Sequence, residues 1–97
     1  SLVVATNCNP GSAPTHSMPM AVALAVRFNR VTPAEAIVAT TANGAALLGL
    51  RDRGFVAPGA RADLLLLRHT DERALAYEFG DNPVDVVMCG GAIIAPE

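Results

Sequence analysis

The residues best placed for chemistry lie close together in the run Asn7-Cys8-Asn9-Pro10-Gly11-Ser12. Asn9, Gly11 and Ser12 could present amide, backbone N–H and hydroxyl groups to a polar ligand. Pro10 has no N–H and limits the freedom of the loop. Before it runs Leu2-Val3-Val4-Ala5, uncharged and β-branched at its centre, which predicts a short buried strand. After it comes Met18 to Phe28, rich in Ala and Met and long enough for three helical turns. That helix is apolar almost all round, so it is expected to be buried on most faces. Strand, polar loop, helix is the order of a βα unit, in which ligand sites occupy the loop after the strand.

Other chemistry-bearing residues form no constellation. Cys8 would need a base to act as a nucleophile, and His16 is the only neighbour in sequence that could supply one. His16 and His69 stand far apart, with no H-x-H or H-x-x-x-H spacing, so two histidines do not complete a metal site. His16 reads as a loop residue, and Met18 and Met20 read as core filler. Cys8 and Cys89 are too few for a disulfide scaffold and form no C-x-x-C pair, which points to a reduced, cytoplasmic setting. A phosphate-cradling G-x-x-x-x-G-K-[ST] loop is excluded, because the chain has no lysine.

Composition narrows the classes further. With 97 residues the chain is expected to form one domain, and at 52% hydrophobic against 16% charged it carries more apolar surface than a small monomer needs. Surplus apolar surface leads us to expect a homo-oligomer or another partner. The net charge is −2 and the seven basic residues, all Arg, are scattered. With three Phe and one Tyr as the only aromatics, a nucleic-acid partner is not expected. No apolar run approaches the ~20 residues that span a bilayer, and no basic n-region marks a signal peptide.

The elements that must position the loop are legible in turn. Thr32-Pro33-Ala34-Glu35 is a capping box with proline at N1, predicting a helix from Pro33 to about Thr40. Thr41 and Asn43-Gly44 are expected to interrupt it, with a second short helix ending at Leu48 before Gly49. Ile37, Thr41 and the face Ala45 to Leu48 should point inward. Arg51-Asp52-Arg53-Gly54 reads as a charged turn. Leu64 to Leu67 predicts a strand buried on both faces. Asp71-Glu72 should open a helix running through Tyr77 to Phe79, their carboxylates suiting its first turn, with a stop at Gly80. Val84 to Met88, the Gly90-Gly91 hairpin signal and Ala92 to Ala95 complete an α+β chain. Three or four helices are expected to cover a small sheet.

Four stretches carry a resemblance to a known family. The run ATNCNPGSAPTHSMPM resembles the segment around the last barrel strand of the imidazolonepropionases, metal-dependent amidohydrolases, where the pattern is T-D-C-N-P-G-[ST]. Thr32 to Leu50 resembles the amidohydrolase pattern T-P-x-E-A…N-x-A-x-x-L-G-L, and Gly54 to Leu64 resembles G-x-[IV]-x-x-G-x-x-A-D-[LI]. Leu75-Ala76-Tyr77-Glu78-Phe79-Gly80 with Asn82-Pro83 resembles L-A-Y-x-x-G-x-N-P. The resemblance implies a C-terminal fragment of an amidohydrolase, present as a fragment, a split gene product or a truncated piece. Residues 1–49 would be the last βα unit of a (β/α)8 barrel with its helices, and residues 50–97 the C-terminal strands of an accompanying β-sandwich with one helix. The reaction it implies is ring opening of 4-imidazolone-5-propanoate to N-formiminoglutamate, a step of histidine degradation, with zinc or iron as cofactor. Asn9, Gly11 and Ser12 would contact that small-molecule substrate or its product. Asn7 stands where the family has an Asp that is both metal ligand and proton carrier. By the same resemblance the block Thr32 to Leu50 is scaffold, and Asp63 a structural residue holding turn amides. Because Asn7 replaces the Asp and the metal-binding histidines are missing, the chain alone is expected to bind no metal and to be inactive. The alternative is a non-catalytic α+β module derived from such an enzyme, which self-associates or binds a partner.

Overall fold

The computed structural model describes residues 2–77 and 80–94. Among the described residues, four helices and three strands follow in the order α1 (Met18–Phe28), α2 (Pro33–Thr40), α3 (Ala42–Leu47), β1 (Leu64–Leu67), α4 (Ala74–Tyr77), β2 (Val84–Cys89) and β3 (Ala92–Ile94). The expected α+β class is what forms.

Local chemistry sets most boundaries. Ser17 caps α1, its hydroxyl accepting from the Met20 N–H at 3.3 Å. At α2 the capping box closes in both directions: the Glu35 N–H donates to Thr32 Oγ1 at 3.2 Å and the Thr32 N–H to Glu35 Oε1 at 3.0 Å. The break between α2 and α3 falls at Thr41 (φ −122°, ψ −87°), whose hydroxyl donates to the Ile37 carbonyl at 2.7 Å. Asn43-Gly44, expected to interrupt, instead lies inside α3, because Thr41 alone turns the chain and the next helix starts at once. Asp71 and Glu72 do not open α4. The Asp71 carboxylate accepts from the Arg73 backbone N–H and guanidinium, forming a turn, and helix begins at Ala74. The predicted extension of that helix over Glu78 and Phe79, and of β3 to Ala95, lies outside the described residues.

The sheet is antiparallel in the order β1-β2-β3. Leu64 pairs with Met88 and Leu67 with Val84, with an irregularity between Leu66 and Leu67. Gly90 and Gly91 both take positive φ (59° and 87°) in the hairpin joining β2 to β3, a backbone that side chains resist. β1 is not buried on both faces: Leu65 is 59% and Leu66 62% exposed. The reason is that the helices pack mainly on one another, α1 on α2 and α4 and α2 on α3, and do not form a layer over the sheet, whose central strand β2 is half-buried.

The buried hydrophobic residues therefore sit mainly among the helices and are small (Val22, Ala23, Ala25, Ala36, Ala39, Ala45 and Ala76), with Pro83 fully buried just before β2. Thr41, Ala46, Leu47 and Leu48, expected to face inward, are exposed, as are Phe28, Phe55 and Val56. An alanine core brings helices close but removes little apolar area from water per residue.

Candidate functional site

The loop is organised by one side chain. Asn9 Nδ2 donates to the Asn7 carbonyl at 2.6 Å and to Ser12 Oγ at 3.2 Å. Asn9 Oδ1 accepts from the backbone N–H groups of Gly11 and Ser12, each at 2.9 Å. A pair of backbone bonds between Asn9 and Ala13, at 2.9 and 3.3 Å, closes the loop at its base. This is an Asx turn with a second arm, the side chain standing in for a strand partner. Gly11 leaves room for that turn, since a Cβ there would sit tightly against Asn9 Oδ1, at 3.3 Å.

Asn7 enters the turn with φ 52°, a left-handed conformation that Asn tolerates better than most residues. Asn7 and Cys8 are exposed, Cys8 as a free thiol. His16 is also exposed, and beside it Thr15 Oγ1 accepts from the Ser17 N–H at 3.1 Å. The four residues singled out by sequence, Asn7, Asn9, Gly11 and Ser12, thus share one loop.

The segment leading into the loop is not the expected strand. Residues 2–6 belong to no helix or strand and pair with none of the three strands. The Val4 N–H donates to the Ala39 carbonyl of α2 at 3.2 Å, and the Leu2 carbonyl accepts from Asn43 Nδ2 at 2.8 Å. A strand exists only by pairing, and here the backbone groups turn to helices instead. Two open grooves touch the segment, the second only at Leu2. A cleft of 360 Å³ lies against α1, lined by Leu2 to Thr6, Ala13, Thr15, Met20 and Leu24 among others. A second groove of 350 Å³ runs between Leu2 and the residues Ala34, Glu35, Val38 and Asn43. The stem of the loop lines the first cleft, while Asn7, Asn9, Gly11 and Ser12 do not.

Far from the loop, Asp63 holds the hairpin. Its Oδ1 accepts from the Gly90 N–H at 2.8 Å and from Arg61 Nε at 2.7 Å. The Arg61 guanidinium, then the Gly90 N–H, holds the Asp63 carboxyl below the usual range. Its role is the turn-holding one expected of it. Among the described residues, no group of three or more His, Cys, Asp and Glu gathers that could hold a metal ion. The zinc or iron implied by resemblance therefore does not fit the donors this chain brings together. Asn43, which ties down the loop's approach, belongs to a block that the sequence assigns to scaffold. The available signal is an Asn-Gly pair within a short helix, where both are poor helix formers.

An α+β chain built around a polar loop is consistent with the family evidence. The amidohydrolase family model matches residues 4–94, and the chain belongs to that family. Within it, the chain is similar to several imidazolonepropionases. It is 49% identical over 94 residues to the imidazolonepropionase of Herpetosiphon aurantiacus, covering 96% of this chain and 22% of that protein. It is 51% identical over 90 residues to those of Deinococcus deserti and Salinispora arenicola, covering 93% of this chain and 23% of each. The chain thus spans less than a quarter of the length of these curated relatives. Among the described residues, no helix is long and apolar enough to cross a membrane.

Proposed function

We propose that this chain supplies the Asn7–Ser12 loop to an imidazolonepropionase-type hydrolase, which opens the ring of 4-imidazolone-5-propanoate to N-formiminoglutamate. The observation that carries this reading is the Asn9-centred loop, lying within a stretch of close similarity to imidazolonepropionases. Asn9, Gly11 and Ser12 contact substrate or product in this reading. The rest of the site, including the donors for zinc or iron, comes from residues outside this chain. The protein acts in the cytoplasm, and the exposed apolar surface is covered by that remaining portion or by a second copy.

The chain alone is inactive in this reading. Ring opening by water needs a group that accepts a proton and returns it to the leaving nitrogen, which a carboxylate can do and the Asn7 amide cannot. General-base assistance is worth about 10²–10⁴ in rate. The amide at position 7 and the exposed apolar residues also favour a second reading, a non-catalytic module that binds a partner.

Following imidazolone absorbance in three samples separates these readings. The unmodified chain and Asn7→Asp alone should be silent. Asn7→Asp mixed with the remaining portion of a related imidazolonepropionase should turn over. Silence in the third sample favours the module, and turnover by the unmodified chain, proportional to protein and lost with chelator, overturns the requirement for a completed site.

A further inference from the structure

Asn43 and Leu2 are 41 residues apart, yet the Asn43 amide donates to the Leu2 carbonyl at 2.8 Å. With the bond from the Val4 N–H to the Ala39 carbonyl, it ties the extended segment to the layer of α2 and α3. The segment has no strand beside it and lines an open cleft against α1, so no sheet pairing sets its register. Neither bond, one from a side chain and one from the backbone, can slide without breaking, and the two set the register. Helix formation does not account for Asn43. It lies in the first turn of α3, where its side chain could have served the helix end, but the amide goes to Leu2 instead.

We propose that Asn43 is a positioning residue for the Asn7–Ser12 loop. Through Leu2 it fixes the register of the segment against α2 and α3, and Asn7 follows directly on that segment. The functional weight of the loop rests on the hydrolase reading above, but the coupling between Asn43 and the loop does not.

The test is amide hydrogen exchange by NMR on the full chain, compared with Asn43→Ala and Asn43→Asp as protection factors at matched pH. One lost hydrogen bond predicts that protection of Val4, Gly11 and Ser12 falls about two- to tenfold in Asn43→Ala. The α2 amide of Ala36 should be unchanged, which separates repositioning from unfolding. In Asn43→Asp at pH 7 the carboxylate repels the Leu2 carbonyl, and Glu35, which lines the same groove, adds like charge. At pH 3 the protonated carboxyl can donate to Leu2, and protection at Gly11 and Ser12 should return toward the unmodified chain. Such a pH-dependent rescue is not expected of a residue that merely stabilises α3. Unchanged protection at Gly11 and Ser12 in both variants, or loss in Asn43→Asp that low pH does not restore, overturns the proposal. No turnover enters this measurement, so failure of the hydrolase reading leaves it untouched.

Discussion

The Asn9 side-chain amide donates to the Asn7 carbonyl at 2.6 Å, while its oxygen accepts the Gly11 and Ser12 N–H groups. The Asn9 amide thus shapes the loop from within, holding its backbone on both sides of Pro10. Asn9→Ala removes every one of these bonds and should loosen the loop without changing helix content. Asn9→Asp keeps the oxygen that accepts from Gly11 and Ser12 but sets a second anionic oxygen against the Asn7 carbonyl. It should restore protection at Gly11 and Ser12 only in part, as amide exchange would read out. Equal protection in all three chains would show that the turn stands without Asn9.

Gly54 takes φ 93°, and a Cβ there would meet the Ala45 Cβ at 2.9 Å and the Thr41 carbonyl oxygen at 3.0 Å. Gly49 takes φ 74° with nothing near. Gly49→Ala should cost only the backbone term of about 1–2 kcal/mol. Gly54→Ala should cost that and about 1–3 kcal/mol more from overpacking against α3. Denaturant unfolding of the pair isolates the steric contribution. Equal losses would mean that the loop around Gly54 does not press on α3.

Asp63 should make the hairpin acid-sensitive. Its carboxyl is held below the ordinary 3.8 by Arg61 and the Gly90 N–H, and Asp71 is held at about 2 by Arg73. A carboxyl depressed on folding contributes stability that is complete above its unfolded value and lost as pH falls through its folded value. Protection of the Gly90 amide should therefore be flat from pH 7 to 5 and fall below about pH 4. Asp63→Asn should abolish that fall and start from lower protection at pH 7, because the neutral amide cannot ion-pair with Arg61. A Gly90 amide indifferent to pH in the unmodified chain would remove Asp63 from this role.

The exposed apolar residues Phe28, Leu65, Leu66, Val56 and Ile93 are each more than half uncovered. Leu65, Leu66 and Ile93 lie on one three-stranded sheet, where exposed apolar side chains can meet a partner. Sedimentation at tens of micromolar should detect self-association, which Leu66→Glu on the sheet face weakens if the sheet is the contact. A clean monomer at that concentration counts against self-association.

Elements written in near-neighbour chemistry are legible in the amino-acid sequence. The ends of α1 and α2 follow from Pro33, the Thr32–Glu35 box and the apolar run Met18 to Phe28, all satisfied within one or two turns of chain. The β2–β3 hairpin follows from two glycines whose positive φ needs no distant partner. The gathering of Asn7, Asn9, Gly11 and Ser12 is legible for the same reason, because they lie within six residues and one Asn side chain reaches across them. What depends on distant partners is not legible. Leu2 to Ala5 carries a strand's residues, but a strand needs a neighbouring strand, and the neighbours within reach are α2 and α3. Leu64 to Leu67 carries a buried strand's residues, yet burial depends on what covers the sheet, and the helices pack on each other. Only the tertiary structure gives Asn43 its partner, since no local rule links a residue in the first turn of α3 to a carbonyl 41 positions earlier.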